Sequence, residues 1–170
     1  LISSGSVSHI GLAIMLIGIL FSSGYSSIQS TNYTGLVWNS DFPDEVNNEN
    51  MLLFLNEERR IGKYEAKYLG TRKKVENGGG FINANLLEYI PIIKKYIAKS
   101  DFNLDGNLIN ENDTIEIDNK DITYFEISFV NGSEEITLFP KVQTDSNSDM
   151  IVFSPDVNND LLEDFYVHVR

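Results

Sequence analysis

The chain has no cysteine in 170 residues, one tryptophan, two histidines and four prolines. Without thiols there is no disulfide, no zinc–thiolate centre and no cysteine nucleophile in this sequence, a composition that fits either redox compartment. Positive charge is scarce: 13 Lys and Arg stand against 25 Asp and Glu, for a formal net charge of -12. An acidic chain repels phosphate, so nucleic acid and anionic lipid are not expected as direct partners. No charged residue precedes Asp41. There is no Ser-His-Asp order and no glycine-rich phosphate loop leading into a helix. No carboxylate pair has a spacing or apolar setting that marks it as acid and base, so no catalytic constellation is visible.

The stretch that stands out is apolar. His9 is the single ionisable side chain from Ser8 to Phe21, and from Val7 to Tyr25 there is no charged residue. As a helix this span rises about 28 Å, close to the hydrocarbon thickness of a bilayer. Residues 1–28 are therefore expected to form a transmembrane helix. A secretory signal peptide needs a basic n-region, which is absent before Val7. The run is also longer than a usual h-region, and Gly11 and Gly18 suit packing among other helices. Because the sequence starts on Leu1 and becomes apolar almost at once, it is expected to be an excerpt from a longer protein. Ser22 to Ser40 contains no Lys or Arg, so the positive-inside rule puts residues 29–170 on the extracytoplasmic side. Tyr25, Tyr33 and Trp38 suit the membrane interface. His9 itself has two readings. A histidine in an apolar helix is costly unless it finds a partner, and neutral imidazole is a common axial ligand to haem iron. Near the edge of the run, water or lipid headgroups can equally satisfy it.

Beyond the loop from Ser22 to Asn50, short strands dominate the pattern. Met51 to Asn56 is an apolar strand candidate, and Glu57 to Arg60 a charged turn. Lys63 to Leu69 alternates, with Tyr64, Ala66 and Tyr68 on one face. Asn77-Gly78-Gly79-Gly80 breaks the chain, and Phe81 to Ser100 supports helix and strand equally, with Pro91 in its middle. Asp101 to Asn112 begins like a calcium loop, but Asn112 stands where a bidentate Glu is required; a solvated turn accounts for it better. Tyr124 to Val130, Asn131-Gly132 and Glu134 to Phe139 form the clearest hairpin, read as a type I′ turn, with Pro140 ending its second arm. Met150 to Phe153 is a further strand. Phe165, Val167 and Val169 line one face of a last one, leaving His168 on the opposite face as a surface histidine. Arg59, Arg60, Lys63, Lys67, Arg72, Lys73 and Lys74 form the only basic cluster, which fits a solvated strand edge or a site for acidic groups. The expected fold is mainly β: one N-terminal transmembrane helix (1–28) and an antiparallel extracytoplasmic β domain (29–170), a sandwich or open barrel.

Several of these segments resemble one family. Ser8-His9-Ile10-Gly11-Leu12-Ala13 with Leu16-Ile17-Gly18-Ile19 is similar to a membrane helix of the cytochrome c-type biogenesis haem lyase subunit, a cytochrome c assembly protein. Gly62 to Gly70, Leu138-Phe139-Pro140-Lys141, Ser154-Pro155-Asp156 and Glu163 to Val167 look like later segments of the same family, in the same order. The resemblance implies a multi-pass protein of the bacterial inner membrane with residues 29–170 periplasmic. Such a protein takes up haem and assists its covalent attachment to apocytochrome c, together with other cytochrome c maturation subunits. It implies that His9 is an axial ligand of haem b, binding the haem iron, with the second ligand outside this sequence. The alternative is a membrane-anchored, non-catalytic β-rich binding or scaffolding domain in which His9 is incidental. A third reading is a secreted β protein with a truncated signal peptide, cleaved near Gly24.

Overall fold

The structure, a computed structural model, describes residues 4–24, 27–37, 39–145, 150–159 and 164–170. Two compact units divide the chain, Leu1–Leu52 and Leu53–Arg170. Tyr25 and Trp38, expected as interfacial aromatics, lie outside the described residues.

In the first unit, α1 (Ser4–Gly24) contains no charged residue in its first or last turn. Its side chains from Val7 to Leu20 are exposed. Ile14, Met15, Leu16 and Ile17 are all exposed, and four successive positions about 100° apart go right round a helix. Among the described residues no helix is long and apolar enough to cross a membrane. The stretch from Val7 to Leu20 rises about 20 Å, against about 30 Å of hydrocarbon. The expected transmembrane helix over 1–28 is thus found as a helix with a shorter described apolar length. The segment expected to be an irregular loop contains a short helix, α2 (Asp44–Glu49), opened by Pro43 and by Asp44 and Glu45 in its first turn. Both features favour a helix start, through a pre-set φ and through negative charge at the positive end of the dipole. Asn47 is buried, and its side-chain amide donates to Asn39 O at 3.0 Å and Phe42 O at 3.3 Å. Asn32 Nδ2 donates to Leu36 O at 2.6 Å. The asparagine-rich composition supplies hydrogen bonds that a segment without a sheet ladder lacks.

The second unit is antiparallel β. Its elements are β1 (Glu58–Ile61), β2 (Tyr64–Lys74), β3 (Phe81–Asn83), β4 (Leu87–Ile90), β5 (Lys95–Ala98), β6 (Phe102–Leu104), β7 (Asn107–Ile109), β8 (Thr114–Ile115), β9 (Ile122–Asn131), β10 (Glu134–Leu138), β11 (Lys141–Asp145), β12 (Met150–Ser154), β13 (Asp156–Asn159) and β14 (Asp164–Val167). The main sheet runs β1-β2-β9-β11-β12, with β3 also on β2 and β10 also on β9. Smaller sheets are β4-β5-β8, β6-β7 and β13-β14.

β9 organises this unit. One of its edges pairs with β2 from Glu65↔Val130 to Arg72↔Tyr124, and the other is shared between β10 and β11. Ile127 faces Leu138 and Tyr124 faces Lys141, so β10 and β11 keep one register across Phe139-Pro140. Pro140 interrupts this arm without ending it: it has no N–H to give, but its carbonyl accepts from Phe125 N at 2.8 Å. Phe139 N donates to Asp156 Oδ2 at 2.8 Å. The hairpin turn is displaced by one residue from the expected Asn-Gly. Asn131 pairs with Glu134, leaving Gly132-Ser133 as the loop, and of these two only Gly132 has positive φ (62°). That is the type II′ pattern, with glycine at the first central position.

Two apolar clusters hold the strands. In one, Tyr64, Ala66, Ile127 and Phe129 are buried on the main sheet. Phe165 lies over it, 5.0 Å from the Tyr64 ring and 4.9 Å from the Phe129 ring. The other joins Ile82, Leu87, Ala98 and Ile115, with Val75, Tyr96, Phe102 and Ile117 around them. The undecided stretch from Phe81 to Ser100 is therefore mostly strand, broken by a 3-10 turn at Ala84–Leu86 and by the β4–β5 turn that holds Pro91, and its apolar residues feed this second cluster. Two other expectations are corrected. Glu57 to Arg60 is mostly strand rather than turn, because Ile61 is buried while Glu58 and Arg60 face out across from Lys67 and Glu65. Met51 to Asn56 forms no strand; it makes a single bridge, Leu55↔Tyr68, and turns at Asn56, whose φ is 62°.

Candidate functional site

Among the described residues of the second unit, two open grooves carry grouped polar side chains. The larger, about 430 Å³, is lined by Glu76, Lys94, Lys95, Tyr96 and the segment 115–121. This segment is held from beneath by Lys73 on β2. Its Nζ donates to Lys120 O at 2.8 Å, Ile122 O at 2.7 Å and Thr123 Oγ1 at 3.1 Å, which uses all three ammonium protons. Burial pushes the Lys73 pKa down, and the Asp121 carboxylate partly opposes this. The groove carries both signs of charge: Glu76, Glu116, Asp118 and Asp121 against Lys94, Lys95 and Lys120. Across it, Lys95 Nζ meets Glu116 Oε1 at 3.4 Å. Burial raises the pKa of the Tyr96 hydroxyl, with smaller contributions from Tyr89 and Asp121.

The smaller groove, about 270 Å³, lies on the polar face of the main sheet and is lined by Glu58, Glu65, Lys67, Leu69, Ser128, Val130 and Glu135. Strand alternation sends Tyr64, Ala66 and Phe129 to the opposite face. Lys67 donates to Glu58 Oε1 at 2.9 Å, and this bond and charge hold the Glu58 carboxyl below its ordinary pKa. Ser128 Oγ donates to Glu135 Oε1 at 3.1 Å. Neither groove is lined by a histidine, so neither joins a hydroxyl to an imidazole base. What both offer is polar recognition.

His9 is exposed on α1. His168 follows β14 and is exposed together with Tyr166 and Arg170, with its ring 6.1 Å from that of Phe153. Burial, and then the Arg170 charge, lower its pKa. Among the described residues no three His, Asp or Glu side chains are grouped to hold a metal ion. The calcium-like stretch folds as the β6–β7 hairpin, turning at Asp105 (φ 49°) and Gly106 (φ 86°). Its side-chain oxygens serve the backbone: Asp101 Oδ1 accepts from Glu111 N at 2.7 Å, and Asn103 Oδ1 from Gly106 N at 2.9 Å.

The basic cluster disperses into separate contacts. Arg59 pairs with Glu57 at 3.0 Å, Lys67 with Glu58, and Arg72 with Glu126, while Lys73 is committed to the loop below the larger groove. The sequence places Arg72 and Lys73 in the basic cluster but does not indicate the Glu126 partner of the one or the loop carbonyls that hold the other. The signal available was the length of the β-compatible run through Gly70, which makes residues 70–74 the continuation of a central strand. No family model, curated protein or solved structure matches the chain.

Proposed function

We propose that this chain is a membrane-anchored, non-catalytic binding or scaffolding module, with α1 embedded in the bilayer and the β unit in the extracytoplasmic solvent. The observation that carries this reading is the run Ile14-Met15-Leu16-Ile17, exposed at four successive helical positions. A helix apolar on every side needs an apolar medium on every side, and a surface helix in water would keep a polar face. The absence of Lys and Arg between Ser22 and Ser40 supports the extracytoplasmic side. The open-edged order β1-β2-β9-β11-β12 supports an open barrel or sandwich as the finer architecture. Two polar grooves without an imidazole base favour binding over catalysis. Flotation of the full chain with phospholipid vesicles tests the anchor. The chain is expected to rise with the lipid and to be released by the double substitution Leu16→Arg/Ile17→Arg. A chain that stays in the aqueous fraction refutes it.

The second reading, a cytochrome c assembly protein in which His9 ligates haem b, rests on the family resemblance and on His9 lying on the exposed surface of α1. The fit to haem is partial. His9 offers one imidazole, and α1 holds no second histidine. Residues outside α1 would have to complete the site. An optical spectrum of the native membrane protein decides it: low-spin b-type bands that vanish in His9→Ala support ligation, and bands that are absent or unchanged reject it.

A further inference from the structure

The β4–β5 hairpin ends in Ile92 and Ile93, which line neither groove, beside Lys94 and Lys95, which line the larger. Ile90 pairs with Lys95, closing a four-residue turn, Pro91-Ile92-Ile93-Lys94. Pro91 pre-sets its own φ, and Lys94 takes φ 55° to complete the reversal. Turns facing water usually carry small or polar residues. Here Ile92 is 93% exposed and Ile93 52% exposed. Lys94 and Lys95 follow directly, both exposed. Behind them Tyr89 and Tyr96 pair across the two strands, with ring centroids 5.1 Å apart. From the tip inward the order is apolar and then cationic, which is the order a lipid leaflet presents from acyl chain to phosphate.

We propose that this tip enters the phospholipid interface, with Ile92 and Ile93 among the outer acyl carbons and Lys94 at the lipid phosphates. It rests on the reading that α1 holds the chain at a bilayer, and it adds a second contact from the β unit. A convex tip of four residues is far smaller than the roughly 800 Å² per partner of a stable protein interface, whereas a lipid surface accepts a wedge. The net charge of -12 does not oppose local contact. At physiological salt charges act over about 8 Å; Lys95 is offset by Glu116 at 3.4 Å, and the tip residues 90–94 contain one lysine and no carboxylate. Glu116, paired with Lys95, and Glu88, Asp118 and Asp121 on neighbouring segments limit insertion to the tip.

The cysteine-free sequence makes the test direct. In the full chain, Ile93→Cys gives a single site for an environment-sensitive fluorophore, and Leu108→Cys, in the β6–β7 hairpin and 65% exposed, gives a control. In vesicles of phosphatidylcholine and phosphatidylglycerol the label at 93 is expected to shift to the blue, resist iodide and be quenched by acyl-chain nitroxides. The label at 108 is expected to remain open to iodide. Adding Ile92→Ser or Lys94→Glu is expected to return the first label toward water. Exposed turn substitutions of this kind leave the core untouched. If the chain floats with lipid while the label at 93 stays in water, the tip proposal fails and the anchor stands. A blue shift that needs no lipid also overturns the proposal, pointing to a protein partner. A chain that does not float overturns both.

Discussion

Arg72 and Glu126 form the ion pair on which the centre of the main sheet depends. Their side chains are only 16% and 19% exposed. They meet where β2 bulges against β9 between Tyr68 and Gly70, so that Gly70 rather than Leu69 faces Glu126. Arg72 also reaches the carbonyls of Leu69, at 3.3 Å, and Thr71, at 3.4 Å. Glu126 Oε2 meets Arg72 as a charge contact without a well-directed hydrogen bond. Removing one partner of a buried pair costs about 3–5 kcal/mol, because the other charge is left unpaired; residual exposure here puts the expectation near the lower figure. Arg72→Met and Glu126→Gln should each destabilise by about 3 kcal/mol, while Arg72→Met/Glu126→Leu should lose less than either single variant, since no charge is stranded. Urea unfolding followed by the near-ultraviolet circular dichroism of the tyrosines measures all three. A double variant that loses the sum of the single losses refutes the reasoning.

Three further outcomes follow from local geometry. Burial lowers the His168 pKa below its unfolded value of about 6.5, so the unfolded chain binds the extra proton. Its contribution to stability is then complete above about pH 6.5 and is lost as pH falls through the folded value; the melting temperature of His168→Gln should fall less between pH 7.5 and 5 than that of the parent. A Cβ on Gly80 (φ 72°) would lie 2.8 Å from Asp105 Oδ2, whereas one on Gly106 (φ 86°) would meet nothing within 4 Å. Gly80→Ala should therefore cost about 1–3 kcal/mol and Gly106→Ala only the backbone share of about 1 kcal/mol, and equal losses in thermal melts would contradict this. Millimolar calcium should leave the melting temperature unchanged, because Asp101 and Asn103 already accept backbone N–H groups; a rise of several degrees would restore the calcium loop.

Alternation made β2, β9 and β10 readable from the residues, since Tyr64, Ala66, Ile127 and Phe129 all belong on a buried face. Charge hid β1: Glu58-Arg59-Arg60 looks like a turn until Ile61 and the pairing to β2 supply a reason for extension. Leu86, Ile90, Ile93 and Ile97 fall at helical spacing, yet the cluster of Ile82, Leu87, Ala98 and Ile115 is gathered by the pairing of β4, β5 and β8, which no repeat along one segment encodes. Pro140 reads as a terminator locally, yet the register imposed by β9 carries the strand past it. At the candidate sites the limit was similar. Arg72 and Lys73 look like solvated cations, and only the partners brought by β9 and the segment 118–123 give them roles.

A bilayer around α1, as proposed, leaves it no water-facing side, and spin-label accessibility reads this position by position. Single cysteines at Ile14, Met15, Leu16 and Ile17, each carrying a nitroxide in the vesicle-bound full chain, report collisions with apolar oxygen and with a water-soluble nickel reagent. The account predicts that all four positions are rich in oxygen collisions and shielded from nickel. Nickel access that rises and falls with the 3.6-residue period, leaving one side of α1 in water, would contradict it.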